Sequence, residues 1–230
     1  MPGALVAIAD IDEQGLAATG ETVRERGAEA LPLQMDVSNS ASVAAALERY
    51  CAKCSRLDVL INNAAVGGGE PVVGSDEARW RRTIDVNLVG VYVVSRTAVP
   101  LIPDGGRVIN MASVLGRFGV PGYSAYCAAK HGVIGFTRAL ALELAARRIT
   151  ANAICPGWVD SPMARLAFSQ DSQARGVSEA DAQRDAMAAV PLGRMLDPSE
   201  VAGMVAFLAS PAAAHITGQA YNICGGQIMA

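Results

Sequence analysis

The sequence predicts a single α/β domain, 1–230, in which helices cover both faces of a parallel sheet, the arrangement called doubly wound. Strand-like apolar runs alternate with helical segments along the chain, a pattern typical of βαβ units. The composition is 51% hydrophobic but only 5% aromatic, which suits a sheet buried on both faces. A length of 230 residues is that of one ordinary domain, and no repeat, linker or low-complexity tract divides it.

The elements follow from local patterns. The predicted strands are short apolar runs that end at polar or glycine residues: 5–9, 30–34, 57–61, 107–112, 149–154 and 220–223. The predicted helices are 13–26, 41–53, 76–100, 126–147 and a helix that begins at Asp197 with Pro198 and Glu200 in capping positions. The segment 161–195 is polar and Ala-rich. Because a long irregular segment inside a compact domain is usually functional, we expect it to be a substrate lid.

Tyr126 and Lys130 are spaced to lie on one face of a helix. A nearby ammonium favours the phenolate and lowers a tyrosine pKa, so Tyr126 is a candidate proton donor and acceptor for a carbonyl/alcohol pair. A Tyr-x-x-x-Lys pair alone is weak, because such pairs arise by chance and most are solvated.

Further polar residues stand where buried strands end, at the edge where open α/β sheets bind ligands. Ser113 follows the strand 107–112, Asn62-Asn63-Ala64 follows the strand 57–61, and Cys155-Pro156-Gly157 follows the strand 149–154. Asn87 lies within a long apolar helix. Together with Tyr126 and Lys130, these motifs resemble the short-chain dehydrogenase/reductase family from about Leu5 to Gly226, with its Rossmann-like fold.

The resemblance implies a catalytic set and a reaction, the reversible transfer of a hydride between a nicotinamide cofactor and a secondary alcohol. Tyr126 would exchange the hydroxyl proton, and Ser113 would hold the substrate oxygen. Lys130 would lower the pKa of Tyr126 and bind the nicotinamide ribose. Asn87 would hold a water that links Lys130 to solvent, although a satisfied buried amide is an alternative. No metal is expected.

The resemblance also implies a cofactor site. Its expected members are Asp10, Asp36, Val37, Asn62, Ala64, Gly157, Val159 and Ser161, with Tyr126 and Lys130. A carboxylate at the end of the first strand accepts hydrogen bonds from ribose hydroxyls and repels a 2′-phosphate. Asp10 therefore favours NAD over NADP, unless Asp10 or Asp12 merely caps the next helix. The carboxyl end resembles ketoreductases that usually take NADPH, so an NADPH-dependent 3-oxoacyl or polyketide ketoreductase is the alternative.

The family's Gly-rich phosphate-binding turn has no counterpart in this sequence. That turn presents backbone N–H groups and a helix N-terminus to the pyrophosphate. Gly3 is followed directly by the strand that would be the family's second, so we expect the first strand and helix to be missing. A start assigned too far downstream, a real variant and a remnant that no longer binds cofactor all explain this.

The remaining features limit the partners. A net charge of −3 without a basic cluster argues against nucleic acid, and no apolar run or leader suggests a membrane or export, so a cytoplasmic location is expected. The side chains expected at the substrate are apolar, although several of them could merely pack the lid: Leu115, Trp158, Met163, Leu166, Phe168 and Met195. They favour a small apolar alcohol or ketone. Two helices, 76–100 and 126–147, are apolar on more than one stripe, which indicates association unless both are buried within one subunit. The resemblance implies that the assembly is a homodimer or homotetramer.

Overall fold

The computed structural model describes residues 3–229, and their strands form two parallel sheets. The strands are β1 (Leu5–Asp10), β2 (Glu29–Gln34), β3 (Val59–Asn62), β4 (Arg107–Met111), β5 (Thr150–Pro156) and β6 (Ala220–Ile223). β1 pairs with β2 in one sheet, and β3, β4, β5 and β6 pair in that order in the other. The parallel α/β architecture expected from the sequence is confirmed.

Eight α-helices lie among residues 3–229, and six of them begin at a side-chain cap: Asp12, Asn39, Asp76, Ser161, Ser178 and Asp197. The helices are α1 (Glu13–Glu25), α2 (Ser40–Cys51), α3 (Glu77–Ile84), α4 (Gly90–Ala98), α5 (Ser124–Leu144), α6 (Pro162–Arg175), α7 (Glu179–Ala188) and α8 (Pro198–Ala209). The Asp197 side chain and Glu200 form the predicted capping box of α8.

The structure departs from the predicted elements at two places. The predicted helix 76–100 is α3 and α4 joined by a π-helical turn, Asp85–Val89, and followed by a short 3₁₀ turn. The predicted irregular segment 161–195 contains α6 and α7, which start at the N-caps Ser161 and Ser178. The apolar periodicity of α6 and α7 is weak, so it did not predict these helices. Their N-capping residues, Ser161 and Ser178, were the clearer signal of a helix start.

A shared core joins the two sheets on one face. Leu33 of β2 and Val108 of β4 belong to the same buried cluster, together with side chains of α2, α4 and α5. The other face of the larger sheet packs on α8, where Ile154 meets Leu208. The molecule therefore has helices on both faces of its sheets.

Among residues 3–229, β1 and β3 each have one edge without a partner strand. β1 is paired only with β2, and β3 only with β4. Val6 of β1 is 38% exposed and Ile61 of β3 is 45% exposed, although parallel strands are normally buried on both faces. One row of backbone groups on each of these strands therefore lacks a ladder partner.

The helical stretch 77–101 is long and apolar enough to cross a membrane by length and composition. A core helix meets the same criterion. Val91, Val93, Val94 and Ala98 are all at most 6% exposed and pack against the sheets. Their burial accounts for the apolar composition of this stretch.

Candidate active site

Ser113, Tyr126 and Lys130 meet at the carboxyl end of β4. Ser113 is extended (φ −167°, ψ 160°) and caps the short turn after β4, where its hydroxyl oxygen accepts a hydrogen bond from the Leu115 N–H (3.1 Å). Tyr126 lies in the first turn of α5, and its phenol interacts with the Ser113 side chain. The Lys130 Nζ is 5.5 Å from the centroid of the Tyr126 ring. The predicted helical spacing is therefore realised.

Lys130 is almost fully buried, at 2% exposure. Its ammonium donates one hydrogen bond, to the carbonyl of Met111 at the end of β4 (2.8 Å). Within residues 3–229 this is the only acceptor it meets, so two of its three donors are left for other groups. Burial lowers the pKa of Lys130 to about 8 from its ordinary 10.5, because the charged form is desolvated.

The expected lowering of the Tyr126 pKa by Lys130 is not what the structure shows. Burial raises the pKa of the phenol, and its interaction with the Ser113 side chain only partly opposes that rise. The physical reason is that desolvation disfavours the phenolate, while the ammonium lies near the ring and is directed at Met111. Tyr126 is thus protonated at neutral pH in this state.

Asn87 lies in the π-helical turn and is completely buried. Its side-chain oxygen accepts a hydrogen bond from the Val66 N–H (3.1 Å), and its amide donates to the Val66 carbonyl (2.9 Å). Both bonds hold the loop that follows β3. These bonds match the alternative in which Asn87 is a satisfied buried amide. The π-helical turn that holds Asn87 is a feature that is frequent at functional sites.

The Asn62 side chain does not face a cofactor. It donates to Ser95 Oγ (3.0 Å) and to Asn110 Oδ1 (2.8 Å), and Asn110 donates to Thr137 Oγ1 (2.9 Å). This buried network ties β3, β4, α4 and α5 together. Any contact of Asn62 with a cofactor must come from its backbone, as expected, and the neighbouring Ala64 is exposed.

The predicted nicotinamide-side residues follow β5 and lead into α6. The Gly157 N–H donates to the Ile223 carbonyl (2.8 Å), and a Cβ at Gly157 would lie only 3.1 Å from Cys224. Val159 forms a parallel bridge with Leu196. Ser161 caps α6 by accepting from the Ala164 N–H (3.3 Å). The bridge between Val159 and Leu196 brings together the two ends of the segment 161–195, which is the expected lid.

The predicted adenosine-side residues lie at the ends of the smaller sheet. Asp36 accepts hydrogen bonds from the N–H (2.9 Å) and hydroxyl (2.6 Å) of Ser38, which lower its pKa below 3.8. Val37 packs on Gly90 of α4, where an added Cβ would lie 2.8 Å from Val37 Cγ2. Asp10 accepts from the Asp12 N–H (3.0 Å).

Sequence reasoning missed the wall of a small cavity beside Tyr126. The cavity has a volume of about 20 Å³, room for one water molecule. Its lining includes a glycine-rich loop and the start of α5: Gly68, Gly69, Glu70, Ser75, Arg79, Trp80, Thr83, Gly122, Tyr123, Ser124, Ala125 and Tyr126. The run Gly67-Gly68-Gly69 was the available signal.

A nicotinamide cofactor fits one half of this arrangement. The two remaining donors of buried Lys130 suit ribose hydroxyls, and Gly157 lies close to the neighbouring backbone at the end of β5. The turn between β1 and α1 does not fit a pyrophosphate, because Asp12 caps the helix and Glu13 follows in its first turn. The described residues thus provide the nicotinamide side of a site but no phosphate cradle at this turn.

Comparisons with known proteins show which proteins this chain is similar to. Residues 1–227 match a family model described as enoyl-(acyl carrier protein) reductase. A putative ketoacyl reductase of Streptomyces coelicolor is 43% identical over 93% of this chain and 84% of its own length. The 3-oxoacyl-(acyl-carrier-protein) reductase FabG of Vibrio harveyi is 35% identical over 99% of this chain and 88% of its own.

A solved structure, a variant of actinorhodin polyketide ketoreductase with NADPH, is also similar. It is 42% identical with a TM-score of 0.88, and the match covers 96% of this chain and 87% of that one.

The expectation of NAD as the cofactor is wrong, because this similar ketoreductase holds NADPH. The inference rested on the Asp10 carboxylate, which is exposed and accepts the Asp12 N–H just before α1. An acid at this position has a local role in the turn, and the sequence alone does not distinguish that role from ribose recognition. NADP is favoured.

The matched family model and the relatives above 30% identity cover nearly the whole chain. The Ser-Tyr-Lys geometry is built on the parallel α/β fold that the similar solved structure shares. The chain belongs to the short-chain dehydrogenase/reductase family, and it is an oxidoreductase that acts on CH–OH groups with a nicotinamide cofactor.

Proposed function

We propose that the protein is an NADPH-dependent ketoreductase that reduces a 3-oxoacyl or polyketide ketone to a secondary alcohol. The observation that carries this proposal is the contact of Ser113 and Tyr126 beside buried Lys130. The names of the similar ketoreductases support the substrate class.

Each residue has a role that its surroundings support. The raised pKa keeps Tyr126 protonated, so the phenol can give its proton to the carbonyl oxygen during reduction. The Ser113 hydroxyl donates a hydrogen bond to that oxygen as charge develops. The buried Lys130 ammonium stabilises the phenolate left behind and holds the nicotinamide ribose with its free donors. The cofactor, when bound, supplies the hydride to the carbonyl carbon.

The proposed cofactor residues divide between the two sheets. Gly157, Val159 and Ser161 hold the nicotinamide end beside Tyr126. The remaining members, Asp10, Asp36, Val37 and the backbone of Asn62 and Ala64, face the adenosine end. Asn87 acts through Val66, whose backbone it fixes. The segment 161–195 closes over the substrate as a lid, and the proposed location is the cytoplasm.

The proposal is tested with a 3-oxobutanoyl thioester and equal concentrations of NADPH or NADH. We expect saturable NADPH oxidation at a rate at least tenfold above that with NADH. Equal or faster turnover with NADH would overturn the cofactor assignment. Turnover that survives Tyr126→Phe unchanged would overturn the mechanism.

One observation favours a second candidate, a non-catalytic binding or scaffold subunit. The acidic turn before α1 and the unpaired edges of β1 and β3 leave the phosphate side of the site without a cradle among residues 3–229. Calorimetric titration of the folded chain with NADPH separates the two candidates. Saturable binding supports the reductase, and its absence supports the non-catalytic reading.

The proposed assembly is a homodimer or homotetramer that forms through α4 and α5. Tyr92 and Leu142 on these helices are 46% and 81% exposed, and Tyr92 packs edge-on against Phe136 with ring centroids 6.5 Å apart. Exposed apolar side chains on adjacent helices indicate an interface. Sedimentation as a monomer at micromolar concentration would contradict this assembly.

A further inference from the structure

The glycine-rich loop after β3 approaches three other elements very closely. A Cβ at Gly67 would lie 2.8 Å from Met163 Cγ of α6, and a Cβ at Gly69 would lie 2.9 Å from both the Gly122 carbonyl and the Tyr123 ring. These distances are below those that real Cβ atoms show. The loop is therefore in close contact with α6 on one side and with the start of α5 on the other.

The middle glycine brings the loop against α3. Gly68 has a φ of +110°, in the region that favours glycine, and a Cβ there would lie 2.7 Å from the Arg79 guanidinium. The Arg79 guanidinium thus packs directly on Gly68, in the space that a Cβ at this position would enter. The next residue, Glu70, is the partner of this arginine.

Glu70 connects the loop to both walls of the cavity beside Tyr126. One carboxylate oxygen forms an ion pair with Arg79 Nη1, and the other accepts a hydrogen bond from the Asp76 N–H (3.2 Å) before α3. Its own N–H donates to the Gly122 carbonyl (2.6 Å), four residues before Tyr126. All three contacts fix the loop in one place.

We propose that Glu70 is a positioning residue for the ketone, because it holds the glycine loop as the wall of the cavity that ends at Tyr126. This inference rests on the proposed function and adds a determinant of substrate affinity to it. The Glu70 and Arg79 side chains are 27% and 46% exposed, so their ion pair adds little to global stability. Its effect is local, on the position of the loop that lines the cavity beside Tyr126.

The chain offers a matched control on the same helix. Glu77 pairs with Arg81 of α3 (2.7 Å), with side chains 76% and 70% exposed, and neither residue lines the cavity. Glu70→Gln and Arg79→Gln each remove the loop contact, while Glu77→Gln removes an ion pair that touches only α3. Glu70→Gln keeps an acceptor for the Asp76 N–H, so the start of α3 is preserved.

The first measurement is steady-state reduction of a 3-oxobutanoyl thioester and of a bicyclic ketone with NADPH. We expect Glu70→Gln and Arg79→Gln each to raise the KM for the ketone about fivefold to tenfold, with kcat and the KM for NADPH within twofold. The double variant should resemble either single variant, because both remove one contact. A KM unchanged in Glu70→Gln, an equal rise in Glu77→Gln, or full additivity of the two variants would overturn the proposal.

The second measurement needs no turnover, and it separates this inference from the proposed function. Hydrogen exchange should be at least tenfold faster in Glu70→Gln for the Glu70 N–H, the loop amide that is bonded to the Gly122 carbonyl, while β4 stays unchanged and Glu77→Gln matches the parent. If the parent protein reduces no ketone, the proposed function fails and the exchange result alone decides the positioning role. Unchanged exchange in the loop would overturn that role.

Discussion

The two sheets place their functional side chains in very different surroundings. In the four-stranded sheet, Ala151, Ala153, Ile154 and Cys155 of β5 are fully buried, and Ser113 and Lys130 lie beside this strand and its neighbour. In the two-stranded sheet, β1 is mostly exposed along its length, and it ends at Asp10, whose side chain, within the described structure, accepts only a local hydrogen bond, from the Asp12 N–H.

This contrast separates the residues proposed for proton transfer from those expected to bind the adenosine of the cofactor. The proton-transfer residues are held by contacts between distant parts of the chain, such as Lys130 to Met111. In the described part of the chain, the two carboxylates expected at the adenosine accept hydrogen bonds only from two positions away, Asp10 from Asp12 and Asp36 from Ser38. Side-chain packing, including that of Val37 on Gly90, ties the smaller sheet to the larger one. Local order on that side can therefore be lost without disturbing the catalytic side.

The largest expected effect is on turnover. Tyr126→Phe removes the proton donor and should lower kcat by roughly 10³-fold, within the range known for general acids and bases. The thermal midpoint should change little, since the ring stays in place. Tyr123→Phe is the control, because Tyr123 lines the same cavity directly before α5 but lies outside the Ser113 contact. A similar loss of kcat in both variants would show that the ring matters through packing rather than through its proton.

The next effect is the pH dependence that buried Lys130 confers on the ligand-free protein. The folded pKa is about 8 and the ordinary one is 10.5, so between these values the unfolded chain binds a proton that the folded chain has lost. Stability from this group therefore rises with pH across that window, by about 3 kcal/mol. In Lys130→Met this rise should be absent.

The measurement is urea unfolding at pH 7 and at pH 10 for the parent, Lys130→Met and Arg138→Met. Arg138 lies on the same helix and is exposed, so its variant should follow the parent. The difference between Lys130→Met and the parent should shift by about 3 kcal/mol in favour of the parent at the higher pH. A constant difference would mean that Lys130 is not desolvated in the folded protein.

A smaller effect concerns the amide network of the larger sheet. Asn110→Ala leaves the buried Asn62 amide and the Thr137 hydroxyl each without one partner, and it should cost about 2 to 3 kcal/mol. Urea unfolding at pH 7 measures this cost. A cost below about 0.5 kcal/mol would show that water replaces the Asn110 side chain and that the network does not order this sheet.

The sequence was sufficient where a local pattern decides the structure. Strand ends and the helical spacing of Tyr126 and Lys130 predicted which side chains would meet. The four-residue spacing of Tyr126 and Lys130 could not reveal the raised pKa of Tyr126, because the burial of the phenol depends on the whole core. Neither the π-helical turn at Asn87 nor the contact of Glu70 with Gly122 was predictable, since both depend on residues far apart in the chain.

The smallest expected effect tests the smaller sheet. Hydrogen bonds from Ser38 lower the pKa of Asp36 below 3.8, so its contribution to stability is present above that pH and is lost as pH falls through the folded pKa. Asp36→Asn should therefore cost less than about 1 kcal/mol at pH 7, because the contacts are local and partly solvated. Near pH 3 the cost should shrink. Urea unfolding of this variant beside Asn110→Ala measures the contrast between the two sheets. If Asp36→Asn costs as much as Asn110→Ala, the smaller sheet is as firmly held as the larger one, and the weaker adenosine side proposed from its exposed strands is wrong.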